Sequence, residues 1–479
     1  VTADILARRL DEVGRGLAPG AAITFNALYL DRYLWDLQLG AQGRLLEAVR
    51  AGAPVCGVTV SAGVPPVDEA VALLDSLVES GCRLNAFKPG TVAQVDAVLR
   101  IAAAAPHHTV FVHLEGGKAG GHHSWEDLDA LLLDTYAKLR AAPNVVLCVG
   151  GGVGDEARAT ALLTGAWSVA HGELPMPVDA LLLGTVTMAC AEATTSPQVK
   201  AALVAAAGTA AWVATHAAAG GVTSGKSGLD ADIHYLDNAA ARCGRLLDAV
   251  AGDDEAVAAR RDEIVAALAA TAKPWFGDLE AMTWIDAVRR LFALTAVGRG
   301  GAYEDGCWPD RSFRERAADF VRLAEARLAG LRGKSGAVES LVDDALTALD
   351  APDRMVEALA ARYPRAATER VHPADARVFV RRICARPGKP VSFVPVIDAD
   401  VRRWYKADSL WQAHDDRFPA DAVLVIPGPE AVAGIERVDE PVAGLLGRFE
   451  QAVVDALVAD GAAPEERTRR AGSVHRDAA

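Results

Sequence analysis

The residues best suited to chemistry lie in one stretch, Glu115-Gly-Gly-Lys-Ala-Gly-Gly-His-His-Ser-Trp-Glu-Asp127. Its four glycines remove side chains where a backbone must come close to something flat or charged. His122 and His123 then supply imidazoles that exchange protons near neutral pH. As metal ligands, His122, His123 and Glu126 would need a further cluster of His, Asp or Glu; none stands out, and no metal is expected. A locally hydrogen-bonded turn is the structural alternative. The preferred reading is a histidine beside a bound cofactor or substrate. Ser124 and Asp127 predict a helix N-cap of the capping-box kind.

Other turns could hold a ligand. Gly150-Gly-Gly-Val-Gly154 and Gly184-Thr185 each follow an apolar run, and such turns present backbone N–H groups to an anion. The alternative is a pair of plain tight turns. Gly220-Gly221-Val-Thr-Ser224 is a weaker version of the same pattern. Lys88 closes Phe87-Lys-Pro-Gly-Thr91 and, if buried, must meet an anion, a π-system or the carboxylate of Glu115. His234, Trp404 and Trp411 read as packing residues.

Elements must position these groups. Short apolar runs predict strands at 23–28, 55–60, 84–87, 110–114, 145–149 and 178–183, with helical patterns between them, as in 68–78 and 92–101. Strands apolar on both faces and alternating with helices indicate a parallel sheet covered by helices. Asn26, Ser61, Lys88, Glu115, Gly150, Gly151, Gly152, Gly184 and Thr185 all fall at or just past strand C-termini, the functional face of a (β/α)8 barrel. The expectation is therefore an α/β fold of the TIM-barrel type, lacking its first two β/α units. From about Asp237 the pattern becomes helical, and near His372 a last α/β-like segment begins, with strand-like runs at 390–397 and 422–428. The expected division is 1–237 barrel, 238–370 helical scaffold and 371–479 C-terminal α/β segment.

Bulk properties bound the function. The 479 residues allow two or three cores, and the net charge of −14 argues against a nucleic-acid partner. Mean hydropathy is +0.15, much of it from alanine, and no apolar run reaches the ~18 residues of a membrane span. Seven scattered cysteines without a CxxC pair predict a reducing, cytoplasmic setting. The start at Val1, with neither initiator methionine nor signal peptide, suggests a piece of a longer polypeptide.

These motifs, taken in order, resemble a known family. They are Phe87-Lys-Pro-Gly-Thr91, Gly116 to Asp127, Cys148-Val-Gly-Gly-Gly-Val-Gly154, Leu163-Thr-Gly-Ala-Trp167, Pro175-Met-Pro-Val-Asp179, Glu192-Ala-Thr-Thr-Ser196, Gly220-Gly-Val222 and Asp408-Ser-Leu-Trp-Gln412. The chain is similar to the enoyl reductase region of microbial type I fatty acid synthases. A looser set, Ala-Gly-Gly-His followed by Gly-Gly-Gly and Gly-Thr, is also similar to nitronate monooxygenases and stand-alone flavin enoyl reductases.

The resemblance to the synthase implies a barrel that binds FMN. Hydride would come from NADPH or NADH and reach the β-carbon of an enoyl thioester on acyl carrier protein. It places Gly150, Gly151, Gly152, Gly184 and Thr185 at the FMN phosphate and Asn26, Ser61 and Lys88 at the isoalloxazine or ribityl chain. Gly220 and Gly221 are further candidate contacts. His122, with His123 in reserve, would orient the thioester or assist proton transfer. The implied partners are the other domains of a homo-oligomeric synthase; a linker without activity of its own is the alternative. Relative to the family, the first strand with its turn and the second strand ending in glycines are missing, and Val186-Thr-Met188 replaces an arginine-containing sequence. The chain alone is thus expected to bind FMN poorly.

Overall fold

The computed structural model describes residues 2–227, 230–296, 307–330, 339–387, 389–406, 410–459 and 461. Six strands, β1 (Ile23–Leu28), β2 (Val55–Ser61), β3 (Ala86–Phe87), β4 (Val110–Glu115), β5 (Val145–Gly150) and β6 (Ala180–Leu182), form one sheet in sequential order. Every pairing is parallel. The intervening helices start where the sequence supplies a cap. Thr91 caps Val92–Ala104, and Asp155 caps Glu156–Thr164, which ends on Gly165 at φ +83°.

Ala27, Val60, Phe87, Val112, Leu147 and Val149 are buried beneath helical residues such as Leu74, Val98, Leu131 and Leu162. The opposite, concave face carries Asn26, Thr59, Ala86, Phe111, Val146, Cys148, Ala180 and Leu182, all partly or well exposed. Parallel register sets Asn26 beside Thr59, Thr59 beside Ala86 and Phe111 beside Val146. The concave face is half open.

The TIM-type (β/α)8 barrel expected from sequence is therefore corrected to a six-strand parallel half-barrel sheet joined to a helical region. Among the described residues no strand pairs with the outer edge of β1 or β6, so the sheet does not close. Functional-looking strand ends, the argument used for a barrel, recur wherever parallel strands feed helices. They do not count strands.

A second sheet escaped the sequence reading. Strands β7 (Ala218–Ala219), β8 (Val222–Lys226) and β9 (Asp232–Leu236) form an antiparallel meander. The C-terminal α/β expectation also fails. Among the described residues no strand follows β9, and the run at 390–397 makes a single bridge, Val394 to Trp275. A short buried apolar run fits an extended segment between layers as well as a strand, so its composition misled.

Among the described residues four apolar clusters organise the rest, the smallest joining Ile233, Tyr235, Ala240 and Ala241 to Leu424. The sheet core takes in Val423, Val425 and the helix Val442–Ala459, whose Leu445, Phe449, Val453 and Leu457 recur every fourth residue and face it. A second core gathers Trp284, Trp308, Phe313, Phe320, Phe379 and Phe393. A smaller one joins Leu247, Ile264 and Leu268 to Val394 and Tyr405. The glycine-rich loops at 297–302 and 331–336, and Asp408 and Ser409 of the C-terminal motif, lie outside the described residues.

Candidate active site

A cavity of about 440 Å³ opens at the C-terminal ends of β3 to β6, within the usual size range of small-molecule sites. Its polar rim is Lys88, Glu115, Gly151, Gly152, Gly184 and Thr185, and its apolar wall includes Leu182, Met188, Val199, Leu424, Val425 and Ile426. The wall is completed from far along the chain. The N–H of Gly428 donates to Thr185 Oγ1 at 2.9 Å, and the N–H of Leu236 to the Val425 carbonyl at 2.9 Å. These bonds seat the 424–428 segment over the strand ends.

Lys88 and Glu115 form an ion pair at the rim, with side chains 30% and 9% exposed. Of the alternatives for Lys88, the structure shows the pair with Glu115, and the lysine also lines the cavity. Burial pushes the Glu115 carboxyl up, and the lysine partly opposes this.

The Gly150–Gly152 turn is shaped by close approach. Gly151 sits at φ +79°, and a Cβ there would come 2.7 Å from Ala119 Cβ. A Cβ at Gly150 would lie 2.3 Å from His113 Nε2. Gly184 differs, since a Cβ there would meet nothing within 4 Å. Glu430 borders Gly152, and burial raises its carboxyl.

The histidine loop is held by β9. His122 bridges Ile233, and His234 Nδ1 hydrogen-bonds the Ala119 carbonyl at 2.9 Å. The His123 and His234 rings stack 3.9 Å apart at 8°, with Trp212 edge-on to His123. Burial pushes His234 down to about 4 and His123 down as well. His122 is exposed and, like His123, does not itself line the cavity, whose nearest loop residues are Ala119 and Gly120. The surrounding loop desolvates it, and His123 and Lys88 add like charge, so it too falls. All three imidazoles are neutral at pH 7.

The N-cap expected at Ser124 is corrected. Asp127 caps Leu128–Ala141, accepting from the N–H groups of Asp129 and Ala130, while Ser124 Oγ donates to the Glu115 carbonyl. Of the other sequence candidates, Asn26 lies on the open concave face and Ser61 is buried, donating to the Ala27 carbonyl. Gly220 and Gly221, at φ +60° and +79°, make the two-residue turn between β7 and β8. None of these four lines the cavity.

Sequence reasoning missed His113, buried in β4 and pushed down to about 3 by desolvation, with Nε2 unpartnered among the described residues. It also took His234 for packing alone. The alternation Ile233-His-Tyr235 on a hairpin was its available signal. The 424–428 wall had none, because its contacts, to Leu236 and Thr185, lie far back along the chain.

Comparison with known proteins decides the family. The profile described as "Fatty acid synthase subunit beta/Fas1-like, helical" matches residues 109–446, over two thirds of the chain. The chain belongs to that family. The fatty acid synthase subunit beta of Aspergillus oryzae is 34% identical over 456 residues, covering 90% of this chain and 21% of the relative. That of Gibberella zeae is 32% identical over 478 residues, 95% and 22% of the two chains. The fatty acid synthase 2 of Mycosarcoma maydis is 30% identical over 477 residues, 95% and 12%. The chain thus spans between about an eighth and a quarter of the length of the curated relatives it matches.

Proposed function

We propose that this segment of a Fas1-like synthase subunit is an FMN-dependent enoyl-thioester reductase, working on substrate carried by acyl carrier protein beside the other synthase domains of a homo-oligomer. The observation that carries the proposal is the cavity at the strand ends, where glycine turns and Lys88 rim an apolar wall beside the His122 loop. The residues present fit a flavin phosphate: Gly151, Gly152, Gly184 and Thr185 converge there, and a side chain at Gly151 would close the turn.

When bound, the flavin supplies hydride transfer from NADPH or NADH to the enoyl β-carbon. Lys88 offsets the charge of Glu115 at the rim and presents its ammonium to the cavity. The apolar wall from 424–426 excludes water from one side. His122, neutral at pH 7, carries one N–H. That suits hydrogen bonding to a thioester carbonyl, with proton delivery at the α-carbon drawn from solvent through the same ring.

NADPH or NADH oxidation by the chain, with FMN and crotonyl-CoA, tests this. Flavin-dependent turnover of the enoyl thioester is expected. Turnover with 3-nitropropionate instead would replace the assignment by nitronate oxidation. Flavin-independent inactivity toward both would favour the scaffold reading, which the half-open concave face of the sheet supports.

A further inference from the structure

At the opposite end of the sheet, the turn before β4 carries His107 and His108, and the neighbouring helix Val67–Glu79 carries Asp75. Both imidazoles aim Nε2 at one oxygen, Asp75 Oδ1, at 3.5 Å from His107 and 2.6 Å from His108. The three candidate ligand atoms lie within 4.8 Å of one another. The two rings are 4.2 Å apart at 46°.

From this arrangement we infer a binding site for a borderline divalent transition metal of the Zn²⁺ class, held by Asp75, His107 and His108. Two imidazole nitrogens and one carboxylate oxygen suit Zn²⁺ or Co²⁺ rather than Mg²⁺ or Ca²⁺, which take oxygen ligands. At metal–ligand distances of about 2.0–2.1 Å, tetrahedral ligands lie roughly 3.3 Å from each other. The His107–Asp75 pair already has that spacing, and the His108–Asp75 pair must open by roughly 0.7 Å to admit the ion. As hydrogen bonding alone the arrangement is uneconomical, because a 3.5 Å contact adds little to an oxygen already engaged at 2.6 Å.

The scaffold is built before the ion arrives. Asn144 Nδ2 donates to the carbonyls of Ala102, Ala105 and His108 at 3.0, 3.1 and 3.0 Å, fixing the turn. His108 is 9% exposed, whereas the His107 and Asp75 side chains are 63% and 48% exposed. One side is therefore open to the ion and its water. The ion would tie helix Val67–Glu79 to the start of β4, far from the cavity, so its role is to staple the fold.

The chain is stripped with chelator and titrated calorimetrically with Zn²⁺ alone. One saturable equivalent is expected at pH 7.5, with a rise in Tm. His107→Ala, which removes an exposed side chain, should weaken binding at least about tenfold and abolish the Tm rise. Co²⁺ should give tetrahedral d–d absorption without a thiolate charge-transfer band. No saturable binding, unchanged affinity in His107→Ala, or a thiolate band would overturn the site.

Discussion

His113 and His234, 6% and 1% exposed, are pushed down to about 3 and about 4 by burial. In the unfolded chain both titrate near the ordinary ~6.5, so on acidification the unfolded state takes up protons that the folded state refuses. Stability contributed by these depressed imidazoles is full above about pH 6.5 and falls as pH drops toward 4. Each should cost about 2 kcal/mol at pH 5. His113→Leu should flatten the fall in Tm between pH 7 and 5; an unchanged slope would mean His113 titrates normally. At the rim, Lys88→Ala leaves the Glu115 carboxylate unpaired and should cost about 1–3 kcal/mol at pH 7, less than for a fully buried pair because Lys88 is part-exposed. Adding Glu115→Gln should recover more than half, as a urea-denaturation double-mutant cycle would show. His122→Ala should keep flavin affinity and lose enoyl reduction; equal turnover would remove His122 from the chemistry.

At the element scale, the turn after β6 separates site from scaffold. Gly184 lines the cavity at negative φ, with open space in the Cβ direction. Gly184→Val should therefore leave Tm within ~2 °C while lowering flavin affinity about tenfold or more, by filling the cavity rim. Gly151→Ala should instead destabilise by roughly 1–3 kcal/mol, from its left-handed backbone and the contact with Ala119. Thermal melts and flavin titrations of the two variants distinguish the cases. The six parallel strands were legible in sequence because each is a continuous apolar run between helical patterns. β7 to β9 were not, since Ala218–Ala219 is too short to carry a period and Val222–Lys226 mixes polar residues with Gly225. Lys88, Glu115 and the glycine turns were found because a strand end places chemistry locally. The 424–428 wall was not, because tertiary contact alone brings it over Thr185.

Across the whole molecule, the sheet core, the aromatic core around Trp284 and Phe379, and the small core around Leu247 run from half-barrel to helical region. No described helix is long and apolar enough to cross a membrane. With a net charge of −14, the surface is also ill suited to a nucleic-acid backbone. The half-open concave face should make flavin binding modest rather than tight, because one side of the ligand stays solvated. The most direct test of the account is a titration of FMN with the purified chain, followed by the visible flavin bands and by fluorescence. The account predicts a saturable one-to-one spectral change that Gly184→Val loses. A flavin spectrum unchanged at the highest chain concentration, or changed equally by Gly184→Val, would contradict it.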